Sequence, residues 1–292
     1  MPKKTIVSID LYCGMGGATQ GMMDAGAIVA LSVDGWGVAE YLHKLNFPTV
    51  PFVNCMLGEA PHFDLAMIKH YLKATGLKRA DCHFHLHGSP PCQAFSGLAG
   101  GNRRDIGEGT KNVDHFLWLV EQLKPDSWSM ENVPATRNHY PDLPYQMLAA
   151  MDLGVPQRRN RFFAGEGWRV EVPSDPVHNA WNDAIDVEPI GSVLNTVGCA
   201  TTTSSRSKSS DSQWGNPSLT MTRQLPTIRF EESDGSFRKI RNITVYEMAK
   251  LFGYHDLDLT ALSSFGSRDI TMAIGNSVCP PVMQAVIESI IV

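Results

Sequence analysis

The first 165 residues alternate short apolar runs of β type with longer amphipathic runs of helical spacing. The runs predicted as strands are 5–11, 28–33, 50–53, 82–87, 127–131 and 161–164. The segments predicted as helices are 17–26, 36–46, 63–75 and 112–123. This alternation predicts an α/β fold with a doubly wound, mostly parallel sheet that helices cover on both faces. Ligands of such sheets bind at the carboxyl ends of the strands, near the point where strand order reverses.

Beyond about residue 168 the alternation gives way to polar sequence, and helical patterning returns only late in the chain. Thr244, followed by Glu247 three positions later, predicts a capping box at the start of a helix over 244–252. The apolar run 282–292 predicts a last helix that packs against the first core. The predicted domains are a discontinuous large domain, 1–167 with 270–292, and a small inserted domain, 168–269.

Composition sets limits on the class of protein. With 292 residues and 43% hydrophobic content, the chain can form one sizeable α/β core and a smaller appendage. We find no apolar run of the roughly eighteen residues that cross a bilayer. The first residues lead into a strand-like run and not into a signal-peptide apolar region. We therefore expect a soluble cytoplasmic protein with no membrane partner.

Cysteine spacing and charge limit the ligands. The six cysteines show no C-x-x-C pair and no zinc-ligand spacing, so we expect no metal. The net charge of −5 does not favour nucleic-acid binding, but DNA is bound by a local basic surface. Basic residues outnumber acidic ones within 191–245, whereas 171–190 holds acidic residues and no Lys or Arg.

A glycine-rich run, Asp10-Leu-Tyr-Cys-Gly-Met-Gly-Gly17, follows the first predicted strand and opens a helix. Glycines there permit a tight turn and a close approach of a ligand to the backbone. Asp34 follows the second predicted strand, where an acid can hydrogen-bond ribose hydroxyls. Alone, this pattern suits a dinucleotide as well as S-adenosylmethionine (AdoMet), or a structural turn with no ligand.

Cys92 lies in the run Gly88-Ser-Pro-Pro-Cys-Gln-Ala-Phe-Ser96. Pro90 and Pro91 forbid ladder hydrogen bonds, so the predicted strand ends there. A thiol at the carboxyl end of a strand is a candidate nucleophile, because a nearby helix N-terminus lowers its pKa. The alternative is a small buried hydrophobic residue.

Two further segments supply ionisable groups to the same edge of the predicted sheet. Glu131 ends the fifth strand, so its carboxyl group and the thiol of Cys92 are expected in one crevice. Such a pair suits addition to an electron-poor ring with protonation of a ring nitrogen. Arg159 and Arg161 share one face if that segment is extended. The alternatives are a capping or salt-bridged glutamate and ordinary surface arginines.

These segments, in this order, resemble the DNA cytosine carbon-5 methyltransferase family, which uses AdoMet and includes prokaryotic and phage enzymes. The resemblance continues through 241–254 and 275–282, and it omits only about 168–225. It implies a Rossmann-like methyltransferase fold in which 168–269 recognises the target. The implied activity is methyl transfer to carbon 5 of cytosine in a short duplex DNA sequence, in a restriction-modification, phage or orphan setting.

The resemblance also implies site residues. In this family the cysteine attacks carbon 6 of a flipped cytosine, the glutamate holds the amino group and N3, and an arginine holds the carbonyl side. The implied catalytic residues are Cys92, Gln93, Ser96, Glu131, Arg159 and Arg161. The implied AdoMet-binding residues are Asp10, Leu11, Tyr12, Gly14, Gly16, Gly17, Asp34, Gly35, Asn54, Pro91, Asn276, Ser277 and Val278.

The glycine-rich segment 97–109 is interpreted as a lid over the flipped base. The implied partner is double-stranded DNA, bound by a monomer without an obligate protein partner. The implied DNA-binding residues are Arg103, Arg104, Arg206, Lys208 and Arg223.

The chain departs from the family pattern in four places, one of which is the segment 97–109, which lacks the usual Asp-x-Arg before its following helix. Asn54 stands where the family has an aspartate, and Gly35 stands where some members have an aromatic residue, with Trp36 one position later. The segment 132–156 is too short for the usual helix and strand, so we expect one short helix over 145–153 and either a sheet that lacks an edge strand or another segment that fills the gap. The alternative functions are an RNA cytosine-5 methyltransferase and a catalytically silent DNA-binding relative.

Overall fold

The computed structural model describes residues 4–91, 95, 106–185, 192–195, 211–212, 216, 218, 221, 225–231, 233, 236–260 and 264–290. Several predicted site residues lie outside this described part of the chain. They are Cys92, Gln93, Ser96, Arg103, Arg104, Arg206, Lys208 and Arg223.

A seven-stranded sheet of order β3-β2-β1-β4-β5-β7-β6 forms the centre of the molecule. Its strands are β1 (Thr5–Leu11), β2 (Ile28–Asp34), β3 (Phe52–Asn54), β4 (Cys82–Gly88), β5 (Ser127–Asn132), β6 (Tyr145–Ala149) and β7 (Asn160–Glu166). The strands β1 to β5 pair in parallel, whereas β7 is antiparallel to both β5 and β6. The predicted doubly wound, mostly parallel sheet is confirmed. Strand order reverses between β1 and β4, so the fold predicts a ligand site there.

Helices cover both faces of this sheet. They are α1 (Gly17–Asp24), α2 (Gly37–Asn46), α3 (Pro61–Ala74), α4 (Ile106–Leu123), α5 (Trp181–Ala184), α6 (Val245–Leu251), α7 (Ser267–Asn276) and α8 (Pro280–Glu288). One apolar cluster joins β1, β4 and β5 to α3 and α4 and contains Ile9, Phe84 and Phe116. The other apolar cluster joins the opposite face of the sheet to α1, α2, α6, α7 and α8.

The last helix returns to the first core, as predicted from its apolar sequence. Gly21 of α1 packs so closely on α8 that a Cβ there would lie 2.2 Å from the carbonyl oxygen of Pro280. The stretch Ser267–Glu288, which contains α7 and α8, is apolar and long enough to cross a membrane. However, 72% of its most apolar window is buried inside the protein, as in the core helix of a globular fold.

The structure of the sheet edge differs from the prediction for 132–156. No edge strand is missing in this described segment, because Tyr145–Ala149 forms β6 and pairs antiparallel with β7. A 3-10 helix over Pro134–Asn138 replaces a longer connection, and a second over Ala150–Leu153 follows β6. The predicted short helix over 145–153 is therefore wrong. As an edge strand, β6 pairs on one side only. Its buried and exposed side chains alternate poorly, so its sequence shows little of the two-residue hydrophobic period that predicts a strand.

A second, four-stranded sheet has the order β11-β10-β8-β9 and is antiparallel. Its strands are β8 (Ser192–Asn195), β9 (Asp211–Ser212), β10 (Thr227–Glu231) and β11 (Phe237–Asn242). The predicted capping box follows it: Thr244 Oγ1 accepts from the Glu247 amide, and Glu247 accepts from the Thr244 amide. The helix α6 packs into the large core through Met248 and Phe252.

Candidate active site at the carboxyl ends of the strands

A cavity of about 520 Å³ opens where strand order reverses. This volume lies within the range of small-molecule sites. The walls come from the loops after β1, β2, β3 and β4, from Glu131 of β5, from α4 and from the α7–α8 junction. The lining residues are Tyr12, Cys13, Gly14, Asp34, Gly35, Trp36, Cys55, Met56, Leu57, Ser89, Pro90, Pro91, Asn112, Glu131, Met272, Ala273, Asn276, Ser277 and Val278.

The carboxylate of Asp34 organises one wall of this cavity. Its Oδ2 accepts a hydrogen bond from the Gly14 amide at 2.9 Å, and its Oδ1 accepts from the Trp36 amide at 2.8 Å. The turn needs Gly14 in the left-handed region, at φ +53°. Burial raises the pKa of Asp34, although these amide hydrogen bonds oppose the shift. The carboxylate thus holds the β1 and β2 loops together and presents an acceptor at the cavity wall.

The other glycines of the turn serve packing. A Cβ on Gly16 would lie 2.5 Å from the Phe47 ring, and one on Gly17 would lie 2.1 Å from the carbonyl oxygen of Val278. Neither residue lines the cavity. Both were predicted as AdoMet-binding residues, and in the structure their missing side chains let α1 pack against α2 and the α7–α8 junction.

Three further predicted cofactor residues also lie away from the cavity wall. Leu11 belongs to the apolar core. Asn54 donates through Nδ2 to Glu40 Oε2 at 2.6 Å on the surface. Asp10 is fully buried, and its Oδ2 accepts from the Thr19 hydroxyl at 2.7 Å. Burial raises the pKa of Asp10 to about 7.

Glu131 and Arg161 form an ion pair at the inner end of the cavity. Arg161 Nε donates to Glu131 Oε1 at 2.9 Å, and both side chains are largely buried. Burial raises the pKa of Glu131, while the guanidinium groups of Arg161 and Arg159 oppose that shift. All three line a small void beside the main cavity, together with Cys279. The structure therefore brings together three of the predicted catalytic side chains.

Arg159 points to the α7–α8 junction. Its Nη2 donates to the carbonyl oxygens of Ser277 at 2.8 Å and Gly275 at 3.1 Å. Its guanidinium carbon lies 4.7 Å from the centre of the Phe252 ring. Because Ser277 lines the cavity, Arg159 fixes one wall of the site through backbone contacts.

Sequence reasoning placed several residues at the cavity and overlooked others. The predicted residues that line it are Tyr12, Gly14, Asp34, Gly35, Pro91, Glu131, Asn276, Ser277 and Val278. Trp36 also lines it, one position after the place where some members of the family have an aromatic residue. Met56, Leu57 and Ser89 are among the lining residues that were overlooked, and only their position within four residues of the end of a predicted strand could have indicated them.

The lining fits AdoMet in chemical character. Asp34 offers an acceptor for hydroxyl groups, Trp36 offers an aromatic surface, and Leu57 with Met56 offers apolar contacts. Within the described residues, no group of three or more His, Cys, Asp or Glu side chains is arranged to hold a metal ion.

The chain is similar in sequence to known DNA methylases. The model of the C-5 cytosine-specific DNA methylase family matches residues 6–166. The type II methylase M.HgiDII of Herpetosiphon aurantiacus is 28% identical over 204 residues, which cover 63% of this chain and 54% of that protein. The chain thus spans about half the length of this curated relative.

Solved structures share the fold over nearly the whole chain. Entamoeba histolytica methyltransferase EhMeth superposes with a TM-score of 0.66 at 15% identity, covering 99% of this chain and 98% of that one. A variant of Spodoptera frugiperda DNMT2 superposes with a TM-score of 0.62 at 19% identity, covering 96% and 98%. At this identity the likeness concerns the fold alone.

Proposed function

We propose that this chain, which belongs to the C-5 cytosine-specific DNA methylase family, transfers a methyl group from AdoMet to carbon 5 of cytosine in duplex DNA. The observation that carries the proposal is the buried Glu131–Arg161 pair at the inner end of a cavity that Asp34 and Trp36 also line. One cavity thus combines a carboxyl group suited to a cytosine edge with a lining suited to the methyl donor.

AdoMet, when bound, supplies an electrophilic methyl group on its sulfonium. Asp34 would bind the ribose hydroxyls, because its carboxylate lies at the end of β2 and is fixed by two amide hydrogen bonds. Trp36 would pack on the adenine, and Asn276 with Ser277 would close the pocket from the α7–α8 junction. Asn54 lies on the surface and is not part of this assignment.

Glu131 would recognise the cytosine ring. Its raised pKa favours a protonated carboxyl group that donates to N3, while Arg161 holds Oε1 and thereby fixes the orientation. Protonation at N3 makes carbon 6 more electrophilic, so it assists addition of a thiolate there. Arg159 would act mainly as a positioning residue, since its guanidinium binds the carbonyl oxygens of Gly275 and Ser277.

Cys92, which lies outside the described residues, would supply the nucleophile. Its position directly after Ser89, Pro90 and Pro91 supports this, because all three line the cavity. Attack on carbon 6 makes carbon 5 nucleophilic, and loss of the carbon 5 proton after methylation then expels the thiolate. The base must leave the duplex stack, at a cost of a few kcal/mol. Gln93 and Ser96 are proposed to assist in the same segment.

Sequence recognition is assigned to 168–269, which contains the four-stranded sheet. The proposed DNA contacts are Arg103, Arg104, Arg206, Lys208 and Arg223, because arginine and lysine bind backbone phosphates. A restriction-modification setting is supported by the type II name of the relative M.HgiDII.

Methyl transfer from AdoMet with a tritiated methyl group tests the proposal. Duplex DNA, tRNA and a no-substrate control are incubated with the protein, and labelled products are digested to nucleosides. We expect label in DNA, as 5-methylcytosine only. Label confined to RNA would identify an RNA methyltransferase. DNA binding with no detectable AdoMet binding would identify a silent relative.

A further inference from the structure

Six buried or nearly buried side chains form one continuous hydrogen-bonded row across β4 and β5. Histidine occupies every second position of β4, and serine every second position of the facing part of β5, so both sets point to the same face. In order along the row the members are His83, Ser127, His85, Ser129, His87 and Ser89. We call this row the His–Ser chain.

Every link of the His–Ser chain has hydrogen-bond length. Ser127 Oγ lies 2.8 Å from His83 Nε2 and 2.8 Å from His85 Nδ1. Ser129 Oγ lies 2.9 Å from His85 Nε2 and 2.8 Å from His87 Nδ1. The last link joins His87 Nε2 to Ser89 Oγ at 3.1 Å. Both ring nitrogens of His85 and of His87 are therefore engaged.

This pattern has two equivalent arrangements. A neutral imidazole donates from one nitrogen and accepts at the other, and a hydroxyl does both. All members can donate towards Ser89, or all can donate towards His83, and either arrangement satisfies every link. If each proton crosses its hydrogen bond to the next member of the row, one arrangement becomes the other. The net result is the transfer of one proton from one end of the row to the other. Burial keeps the imidazoles neutral, since it lowers the pKa of His87 to about 3 and that of His85 well below its ordinary value.

The two ends of the row lie in different surroundings. Ser89 lines the cavity. His83 lies at the opposite end of β4, retains 9% exposure, and feels the charges of the exposed pair Arg79–Asp126. The row therefore connects the reaction cavity to the outer surface through the interior of the sheet.

A packing role alone does not account for this composition. Parallel strands buried on both faces are usually rich in valine, isoleucine and leucine. Three histidines on one face of β4 replace apolar contacts by groups whose burial is costly unless each is hydrogen-bonded. The neighbouring buried hydroxyl of Ser8, which faces His85 from β1, has no hydrogen-bond partner in the described structure and is not part of the row.

We infer that the His–Ser chain relays a proton between the cavity and the surface during catalysis, an inference that rests on the proposed function. When the nucleophile adds, its S–H bond breaks, a C–S bond forms at carbon 6, and the proton leaves outward through Ser89. When carbon 5 loses its own proton to solvent, the C–S bond breaks and the thiolate recovers a proton through the same row. The two transfers run in opposite directions, so each turnover restores the starting arrangement.

Single-turnover methylation by the His85→Gln variant tests this relay. A glutamine amide both donates and accepts, but it does not exchange donor and acceptor sites as an imidazole does. We expect methyl transfer about tenfold slower or more, with unchanged AdoMet affinity and melting temperature. Added imidazole, which can enter the cavity and accept the proton there, should restore the rate. Covalent capture of DNA that carries 5-fluorocytosine should slow by the same factor.

Two further variants keep the test decisive. Ser127→Ala removes one hydroxyl of the row and is the alternative if His85→Gln does not fold. Ser8→Ala removes a buried hydroxyl from the same face outside the row and should retain the wild-type rate. Suppose that the wild type methylates DNA. Row variants as fast as the wild type, or slow variants that imidazole does not rescue, would then overturn the relay and leave the proposed function standing. A wild type that methylates no cytosine would overturn the proposed function as well.

Discussion

Arg161 Nε donates to Glu131 Oε1 at 2.9 Å, across the gap between β7 and the end of β5. Two opposing effects act on the pKa of the Glu131 carboxyl group. Burial raises the pKa of Glu131, and the guanidinium moderates the rise. A carboxyl group with this balance can donate to a ring nitrogen and still hold a fixed orientation.

Glu131→Gln tests the role of this carboxyl group. The amide keeps the size of the side chain but cannot deliver a proton, so the methyl-transfer rate should fall by about a hundredfold or more. AdoMet affinity, measured by calorimetry, should remain near wild type. Glu166→Gln, an exposed glutamate at the far end of β7, is the matched control and should keep full activity. Full activity of Glu131→Gln would remove the residue from the mechanism.

Asp34→Asn tests the methyl-donor wall. The substitution removes the charge that accepts from the amides of Gly14 and Trp36 and weakens the proposed ribose contact. Loss of a charge-assisted hydrogen bond corresponds to about a tenfold higher Kd for AdoMet. The exposed Asp81→Asn variant should bind as the wild type does. An unchanged Kd for Asp34→Asn would place the ribose elsewhere.

Arg159→Ala tests the support of the α7–α8 junction. It leaves the buried carbonyl oxygens of Gly275 and Ser277 without this donor and removes the guanidinium from the Phe252 ring. We expect the free energy of unfolding in urea to fall by about 3 kcal/mol. The exposed neighbour Arg158→Ala should change it by less than about 0.5 kcal/mol. Equal effects of both substitutions would contradict the positioning role.

The buried polar groups predict how stability depends on pH. Burial lowers the pKa of His43 and of His87 to about 3, so between about pH 6.5 and 3 the unfolded chain binds more protons at these sites. Each histidine therefore reduces the free energy of unfolding by about 1.4 kcal/mol per pH unit on acidification through that window. Burial raises the pKa of Asp10 to about 7, so between about pH 7 and its ordinary pKa of 3.8 the native state binds a proton that the unfolded chain does not. In that window Asp10 opposes the loss of stability on acidification.

Urea unfolding between pH 7.5 and 5 measures the balance. Below about pH 6.5 the wild type should lose stability as the pH falls, because among the described residues burial lowers the pKa of five histidines and raises the pKa of three carboxyl groups. Asp10→Asn removes one of the opposing carboxyl groups, so its stability should fall more steeply, by about 1.4 kcal/mol more per pH unit. A slope equal to that of the wild type would mean that Asp10 is ionised in the native state at neutral pH.

The sequence predicted the strands of the parallel sheet well, because each is a short run of β type between turn residues. It failed at β6, where an edge strand with one partner carries little periodic signal, and at α7, which lies in the region where we predicted no element. It also placed Gly16 and Gly17 at a ligand, since sequence alone does not distinguish close helix packing from close ligand approach.

The site was predictable where a residue lies at the carboxyl end of a strand, as Asp34 and Glu131 do. The contact of Trp36 with the cavity was not predictable, because the backbone geometry of the loop decides which of two neighbouring residues faces the cavity. The His–Ser chain was visible in sequence as histidine at alternate positions of β4 and serine at alternate positions of β5. Its continuity depends on the register between the two strands, which pairs His85 with Ser127 and His87 with Ser129.

Bisulfite sequencing of DNA from cells that express the protein tests the central claim most directly, because it reports the modified base, its sequence context and the activity together. We predict protected cytosines within one short sequence for the wild type, and none for Cys92→Ser, whose hydroxyl is a far weaker nucleophile than a thiolate. Protection that persists in Cys92→Ser would contradict the covalent mechanism. Complete absence of protection by a folded wild type that binds AdoMet would contradict the assignment of DNA cytosine as the substrate.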